Sequence, residues 1–128
     1  MTYPGDSSST GPTSTGLPAN VAGALAYLLG PITGLLFYVL ERDNRFVRFH
    51  AAQSIVVSLM MMALSFVLGL LGVVLAFIPL IGGLIAMLLS FGLSILSFAL
   101  WIFLMWQAFQ GKEYELPFAG MFARRMLG

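Results

Sequence analysis

The chain has 128 residues, a formal net charge of +1 and no cysteine; 59% of its residues are hydrophobic and only 9% are charged. This length allows one domain, and the composition lies far outside the range of soluble globular proteins. Without cysteine, neither a disulfide nor a thiolate metal site can form. The composition therefore predicts an integral membrane protein whose main partner is the lipid bilayer.

The N-terminal segment, residues 1–18, is rich in Ser, Thr, Gly and Pro. Such a segment buries too little apolar surface to offset the entropy lost on ordering, so we predict a disordered tail. Residues 1–20 contain no Lys or Arg, which argues against a secretory signal. A membrane domain is expected over residues 19–128, with its first span retained.

The first span is predicted at about residues 20–40, which carry no charge. Gly30 and Pro31 lie in its middle, and the proline removes one backbone hydrogen bond. We expect a kink there that neighbouring helices cover.

Two further spans are predicted in the long interval between Arg48 and Lys112, which contains no Asp, Glu, Lys or Arg. About 20 helical residues cross a hydrocarbon core of about 30 Å, so this interval holds two spans. The turn signal at Ile78-Pro79 divides it into spans at about residues 49–77 and 80–109. The predicted fold is an all-α integral membrane bundle of three transmembrane helices.

The last segment has apolar residues at helical spacing after Pro117: Phe118, Met121, Phe122 and Met126. Arg124 and Arg125 can face lipid headgroups. The pattern predicts a short C-terminal interfacial helix.

The orientation follows from the basic residues, which stay on the cytoplasmic side. They fall between spans one and two and after span three: Arg42, Arg45, Arg48, Lys112, Arg124 and Arg125. Three crossings then place the N terminus outside and the C terminus in the cytoplasm. The absence of an organelle-type targeting segment favours the plasma membrane.

Small and hydroxyl-bearing residues mark the faces where membrane helices pack. The predicted packing residues are Gly23, Gly34, Ser58, Gly82, Ala86, Ser90 and Ser94. Because three helices make a thin bundle, we expect a homo-oligomer or a complex with a membrane protein partner. The alternative is a translocation or channel-like assembly whose path is lined by Ser54, Ser58, Ser65, Ser90, Ser94 and Ser97.

The polar side chains concentrate in one block at the cytoplasmic boundary: Arg45, Phe46, Arg48, Phe49, His50, Gln53 and Ser54. His50 and Ser54 share a helix face, but a catalytic dyad also needs a group that orients the imidazole and donors for an oxyanion. A lone histidine also makes no metal site. We therefore predict no catalytic, cofactor or metal site and no nucleic-acid partner, and the sequence identifies no small-molecule substrate.

The block from Asn44 to Ser54 resembles the signature of a family of small prokaryotic membrane proteins grouped with Tic-twenty, a protein import component of the chloroplast inner envelope. Residues 24–34 resemble the first span of that family, and residues 111–118 resemble its closing segment. The resemblance covers about residues 19–124. It implies a helical membrane protein and, through the distant plant relatives, a part in moving polypeptide across or into a membrane. The residues themselves favour an accessory or scaffolding protein.

Overall fold

The computed structural model describes residues 11–127. This part of the chain forms five α-helices, which confirms the all-α prediction: α1 (Ala19–Leu25), α2 (Pro31–Leu40), α3 (Arg45–Leu75), α4 (Ile81–Phe109) and α5 (Ala119–Leu127). Two of the five, α3 and α4, are long and apolar enough to cross a membrane.

The first predicted span is two short helices, not one kinked helix. The chain breaks at Gly30, whose φ of +62° lies in the region that favours glycine, and Pro31 then starts α2. The Thr33 hydroxyl fixes this break, because it accepts the N–H of Leu29 and donates to the carbonyl of Ala26. The proline therefore begins a helix and does not kink one.

The α1–α2 pair is a hairpin whose two ends lie at the start of α3. In α1, Gly23 faces Phe46; at the turn, the Gly30 carbonyl accepts from Ser54; near the end of α2, the Tyr38 carbonyl accepts from Arg48. The chain thus runs along α3 for about two turns and returns. The predicted first crossing is therefore not confirmed: in residues 11–127 only α3 and α4 are long and apolar enough to cross a membrane.

The segment before α1 also lies at this end of the molecule. The Ser14 N–H donates to Glu41 Oε2 at 2.7 Å and its hydroxyl to Asp43 Oδ2 at 2.8 Å, while Asn44 Nδ2 donates to the Pro12 carbonyl at 3.0 Å. Residues 11–18, which the sequence predicts to be disordered, therefore have defined contacts. Residues 1–10 of the predicted tail lie outside the described residues.

Helix α3 begins at Arg45, four residues before the predicted span. The side chain of Asn44 accepts the Val47 N–H at 3.1 Å and so caps the helix N terminus. Residues 45–48, which lie between the first two predicted spans, are therefore the first turn of a helix. The turn between α3 and α4 falls at residues 76–80, where Ile78-Pro79 predicted it, and α4 is continuous through Gly92.

The C-terminal segment also runs along α3 and turns back, as the α1–α2 hairpin does. We call these two parts of the chain the excursions. After α4 ends, the chain runs until Leu116 and Pro117 lie beside Val57 and Met60. Helix α5 then returns, so that the Met126 carbonyl accepts from the Tyr38 hydroxyl at 2.9 Å. The predicted C-terminal helix is present and packs Ala119, Gly120 and Ala123 inward.

Burial is confined to one half of the molecule. The buried residues of α3 all lie within Phe46–Ser54, and most apolar side chains beyond Ser58 are exposed. We name residues 11–58 and 101–127 the head, and residues 59–100, the far parts of α3 and α4 with their turn, the stalk. The head carries nearly all of the packing, whereas the stalk presents Leu, Ile, Val, Met and Phe outward.

We expect Gly34→Leu to destabilise the head by about 1–3 kcal/mol through overpacking. A Cβ at Gly34 would lie 3.0 Å from Ser54 Oγ and 3.2 Å from the Ala51 carbonyl oxygen, where α2 crosses α3. Gly92→Leu is the matched control, because a Cβ there has nothing within 4 Å. Thermal unfolding in detergent measures both, and equal midpoints for the two variants would contradict this packing.

Candidate functional site: a hydrogen-bonded block at the start of helix α3

His50 lies at the centre of the head and is fully buried. Its Nε2 is 2.9 Å from the carbonyl oxygen of Lys112, and a carbonyl only accepts, so Nε2 carries a proton. Its Nδ1 is 2.7 Å from the Tyr27 hydroxyl. The imidazole thus joins the turn after α1, helix α3 and the segment after α4, with both nitrogens paired.

Gln53 holds the same three parts of the chain one turn further along α3. Its amide nitrogen donates to the Tyr27 hydroxyl at 2.9 Å and to the Tyr114 carbonyl at 2.8 Å, and its oxygen accepts the Leu116 N–H at 3.0 Å. Since the Tyr27 hydroxyl accepts from Gln53, its own proton points to His50 Nδ1. One ordered set of donors therefore satisfies the tyrosine, the histidine and the glutamine together.

Arg48 and Ser54 fasten α2 to α3. The Arg48 guanidinium donates to the carbonyls of Tyr38 at 3.0 Å and Glu41 at 2.8 Å, at the C-terminal end of α2, and stacks over the Tyr38 ring. A cation suits the negative end of a helix dipole. Ser54 Oγ donates to the Gly30 carbonyl at 3.0 Å, at the other end of the hairpin.

Phe46 and Phe49 enclose the histidine. Both rings meet the imidazole edge to face, with centroids 4.6 and 5.3 Å away. Phe46 also closes on Gly23, where an added Cβ would be 3.0 Å from its ring. The mixture of aromatic and polar residues in the block is explained, because the rings exclude water and the polar groups pair inside them.

An ion pair locks α5 to the head. Arg124 lies 2.7 Å from Glu113 Oε1 and 3.0 Å from Glu115 Oε2, and its guanidinium stacks over the Phe49 ring. The Glu113 side chain is buried, and this desolvation raises the pKa of its carboxyl, while Arg124 and Arg45 oppose the rise. Sequence reasoning missed both Glu113 and Tyr27 as partners of the block, since each lies on a segment far along the chain.

The predicted packing residues divide between the head and the stalk. Gly23, Gly34 and Ser58 lie at contacts in the head, and a Cβ at Gly82 would collide with the Leu75 carbonyl oxygen at the α3–α4 turn. Ala86, Ser90 and Ser94 instead line a cleft of about 300 Å³ in the stalk, opposite Ser65, Gly69 and Gly72. The two small-residue faces of the stalk meet across open space.

The hydrogen bonds of the block join different parts of the chain. His50 and Ser54 do not bond each other, because Ser54 donates to Gly30 and His50 pairs with Tyr27 and Lys112. Within residues 11–127 there is no group of three His, Cys, Asp or Glu side chains placed to hold a metal ion. Four polar side chains of the block bind other parts of the same chain: Arg48, His50, Gln53 and Ser54.

Comparison with known proteins identifies a family. Residues 14–123 match the model of the magnetosome magnetite crystal formation protein family. A UPF0132 membrane protein of Methanocaldococcus jannaschii is 43% identical over 90% of this chain and 94% of its own length. Another, of Archaeoglobus fulgidus, is 37% identical over 85% of this chain and 95% of its own.

These matches confirm the prediction of a small prokaryotic membrane protein family. The relation to the chloroplast import component is not tested by them and stays a prediction. No solved structure matches this chain at a significant level.

We expect Gln53→Met to release the segment after α4 while α3 stays helical. The change leaves the Tyr114 carbonyl and the Leu116 N–H without their partner, and each buried unpaired group costs about 1–3 kcal/mol. Hydrogen exchange at the Leu116 amide should rise by about tenfold or more, since about 1.4 kcal/mol corresponds to a factor of ten. In the control Ser94→Ala, which removes a bond from Ser94 to the Ser90 carbonyl in the stalk, that amide should be unchanged.

Glu113 predicts a pH dependence of head stability. Because its folded pKa is raised above the ordinary value of 4.5, its contribution is fully present below that value and is lost as the pH rises through the folded pKa. The thermal midpoint of Glu113→Gln, measured from acid to neutral pH, should therefore rise relative to the unmodified chain as pH increases. Glu115→Gln, which removes the more exposed carboxylate on Arg124, is the control; a pH-independent difference for Glu113→Gln would contradict the assignment.

Proposed function

Because this chain belongs to the magnetosome magnetite crystal formation protein family, with UPF0132 membrane proteins among its relatives, we propose that it is a membrane scaffold protein that self-assembles. One observation carries the proposal: the polar side chains of the block are engaged with other parts of the chain, and the stalk leaves a small-residue cleft open. The proposal assigns no enzymatic reaction. It takes the association with a membrane from the names of the UPF0132 relatives and takes no chemical step from them.

The membrane placement that we propose has two crossings, α3 and α4. All six basic residues of the chain lie at the end of the head that is away from the stalk or on α5, and the turn at residues 76–80 has none. The positive-inside rule therefore supports a placement in which the head end of the molecule faces the cytoplasm. The described N-terminal segment lies at that end through its contacts with Glu41 and Asp43. Both ends of the described chain are then cytoplasmic, which replaces the predicted N terminus outside. The plasma membrane remains the membrane that we propose.

Self-assembly through the stalk follows from its surface. Without a hydrophobic driving force in lipid, helices associate where small residues let their backbones approach. An added Cβ at Gly69 or Gly72 would meet nothing within 4 Å, so these faces are open to a helix from a second copy. A homo-oligomer is therefore the partner that we propose first.

The translocation alternative has less support. Ser54 is held in the head by its bond to Gly30 and is therefore not free to line a path. Ser94 donates to the Ser90 carbonyl of its own helix, as serines often do when they face lipid or a helix partner. The serines in the stalk line a cleft that small-residue packing explains.

We expect Gly72→Leu to weaken self-assembly, because the leucine would occupy the stalk cleft. The adjacent Val73→Leu is the matched control, since Val73 is 60% exposed and does not line that cleft. The mass of the intact complex in mild detergent measures the effect. A monomeric unmodified chain, or an oligomer that is equally stable in both variants, would overturn the proposal.

A further inference from the structure

We propose that the chain is a wedge that prefers strongly curved bilayers, with its head in the convex leaflet. The ligand is thus a lipid surface of particular shape, and lipid acyl chains cover the apolar outer face of the head. This inference rests on the two-crossing placement proposed above. It does not require self-assembly.

The first step concerns depth. Helix α3 has 31 residues and is therefore about 46 Å long, close to the roughly 40–45 Å of a bilayer with its headgroups. The tips of the two excursions lie halfway along it: a Cβ at Gly30 would be 3.1 Å from Ser58 Oγ, and Pro117 lies beside Met60. The head therefore extends over the depth of one leaflet and the stalk over the other.

The second step concerns cross-section. In the head, α1, α2, α5 and the segment after α4 surround α3 and α4, whereas the stalk consists of α3 and α4 alone. A helix with its side chains is 10–12 Å wide and occupies roughly 100 Å². The protein thus takes about five helix areas from one leaflet and about two from the other.

The third step is that the head lies in lipid and not above it. The outward face of α2 is apolar, with Ile32, Leu35 and Val39 each more than half exposed. On α5 the exposed side chains include Met121 and Phe122, and Phe118, directly before the helix, is exposed as well. Faces of this kind next to water would be unusual, whereas both fit acyl chains and the interface.

Charge fixes which end faces the headgroups. The exposed cations Arg42, Arg45 and Lys112 lie at the open end of the head, where the chain enters and leaves the two excursions. No basic residue lies at Gly30 or Pro117, where the two excursions turn back. Cations at one end and mostly apolar tips at the other match the gradient from headgroup to mid-bilayer. Glu115, the exposed carboxylate nearest the Pro117 tip, is paired with Arg124 at 3.0 Å.

A body that is wider in one leaflet expands that leaflet relative to the other. In a bent bilayer the convex leaflet has the larger area, so the wedge fits there without compressing its lipid neighbours. In a flat bilayer the same body occupies less area in the leaflet that holds the stalk than in the leaflet that holds the head. The chain should therefore concentrate on small vesicles with its head outward.

The test uses the full chain, which has no cysteine of its own. Arg42→Cys, labelled with a dye, is reconstituted into phosphatidylcholine–phosphatidylglycerol vesicles of graded diameter, and protein per lipid is measured on single vesicles. We expect the density to rise several-fold from the largest to the smallest vesicles. A density that does not depend on diameter would overturn the wedge.

Orientation separates the wedge from the placement on which it rests. In the smallest vesicles, single cysteines at Pro12, Arg42 and Lys112 should react with an impermeant reagent outside, and a cysteine at Phe77 should be protected. If Pro12 and Phe77 react from the same side, the two-crossing placement fails and the wedge fails with it. If the labelling agrees but the density is flat, only the wedge fails.

A matched pair of glycine variants tests the cause. Gly34→Leu should loosen α2 from α3 and flatten the dependence on diameter, whereas Gly92→Leu in the stalk should retain it. Equal enrichment of both variants on small vesicles would show that the head packing is not the cause and would overturn the proposal. Should Gly34→Leu fail to fold, as circular dichroism would show, the diameter dependence of the unmodified chain decides alone.

Discussion

The structure depends on one constraint, which is that polar groups buried at the start of α3 have to be paired without water. An unpaired buried donor or acceptor costs about 1–3 kcal/mol. His50 and Gln53 present four polar atoms there, and the sequence around α3 offers them no partner. Tyr27 and the backbone after α4 supply those partners. The two excursions of the chain are therefore what the buried block requires.

The same constraint divides the molecule into two halves with different stability. The head is fixed by directional bonds and by an ion pair between Glu113 and Arg124, so its elements loosen together when one bond is lost. The stalk has apolar side chains outward and an open cleft between α3 and α4. Its order comes from helical hydrogen bonds within each helix and from whatever covers its faces, lipid or another copy.

The long uncharged interval of the sequence predicted α3 and α4, because such segments form helices in lipid. The Ile78-Pro79 signal predicted their turn. The prediction failed at Gly30 and Pro31. A glycine–proline pair gives either a kink or a new helix, depending on which donor pairs with the carbonyl that the proline leaves without an N–H partner. Pro31 has no N–H to bond the Tyr27 carbonyl. Here the Trp101 indole N–H donates to that carbonyl at 2.7 Å, and this contact is tertiary. The block from Arg45 to Ser54 could be found as an unusual cluster, but its partners could not, because Tyr27 and Glu113 have no local pattern that points to it.

Two features of the structure bear on function: the buried polar groups of the block are paired, and the head is wider than the stalk. A catalytic or transport site keeps a polar group exposed to its substrate, and an intramembrane charge usually marks such a task. In the described residues the buried polar groups of the block hold α2, the turn after α1 and the segment after α4 against one half of α3. The product of this arrangement is a difference in width between the two halves, and the wedge that we propose acts on the bilayer through that difference. The scaffold that we propose requires a rigid buried block, and the paired polar groups of His50, Gln53 and Tyr27 supply that rigidity.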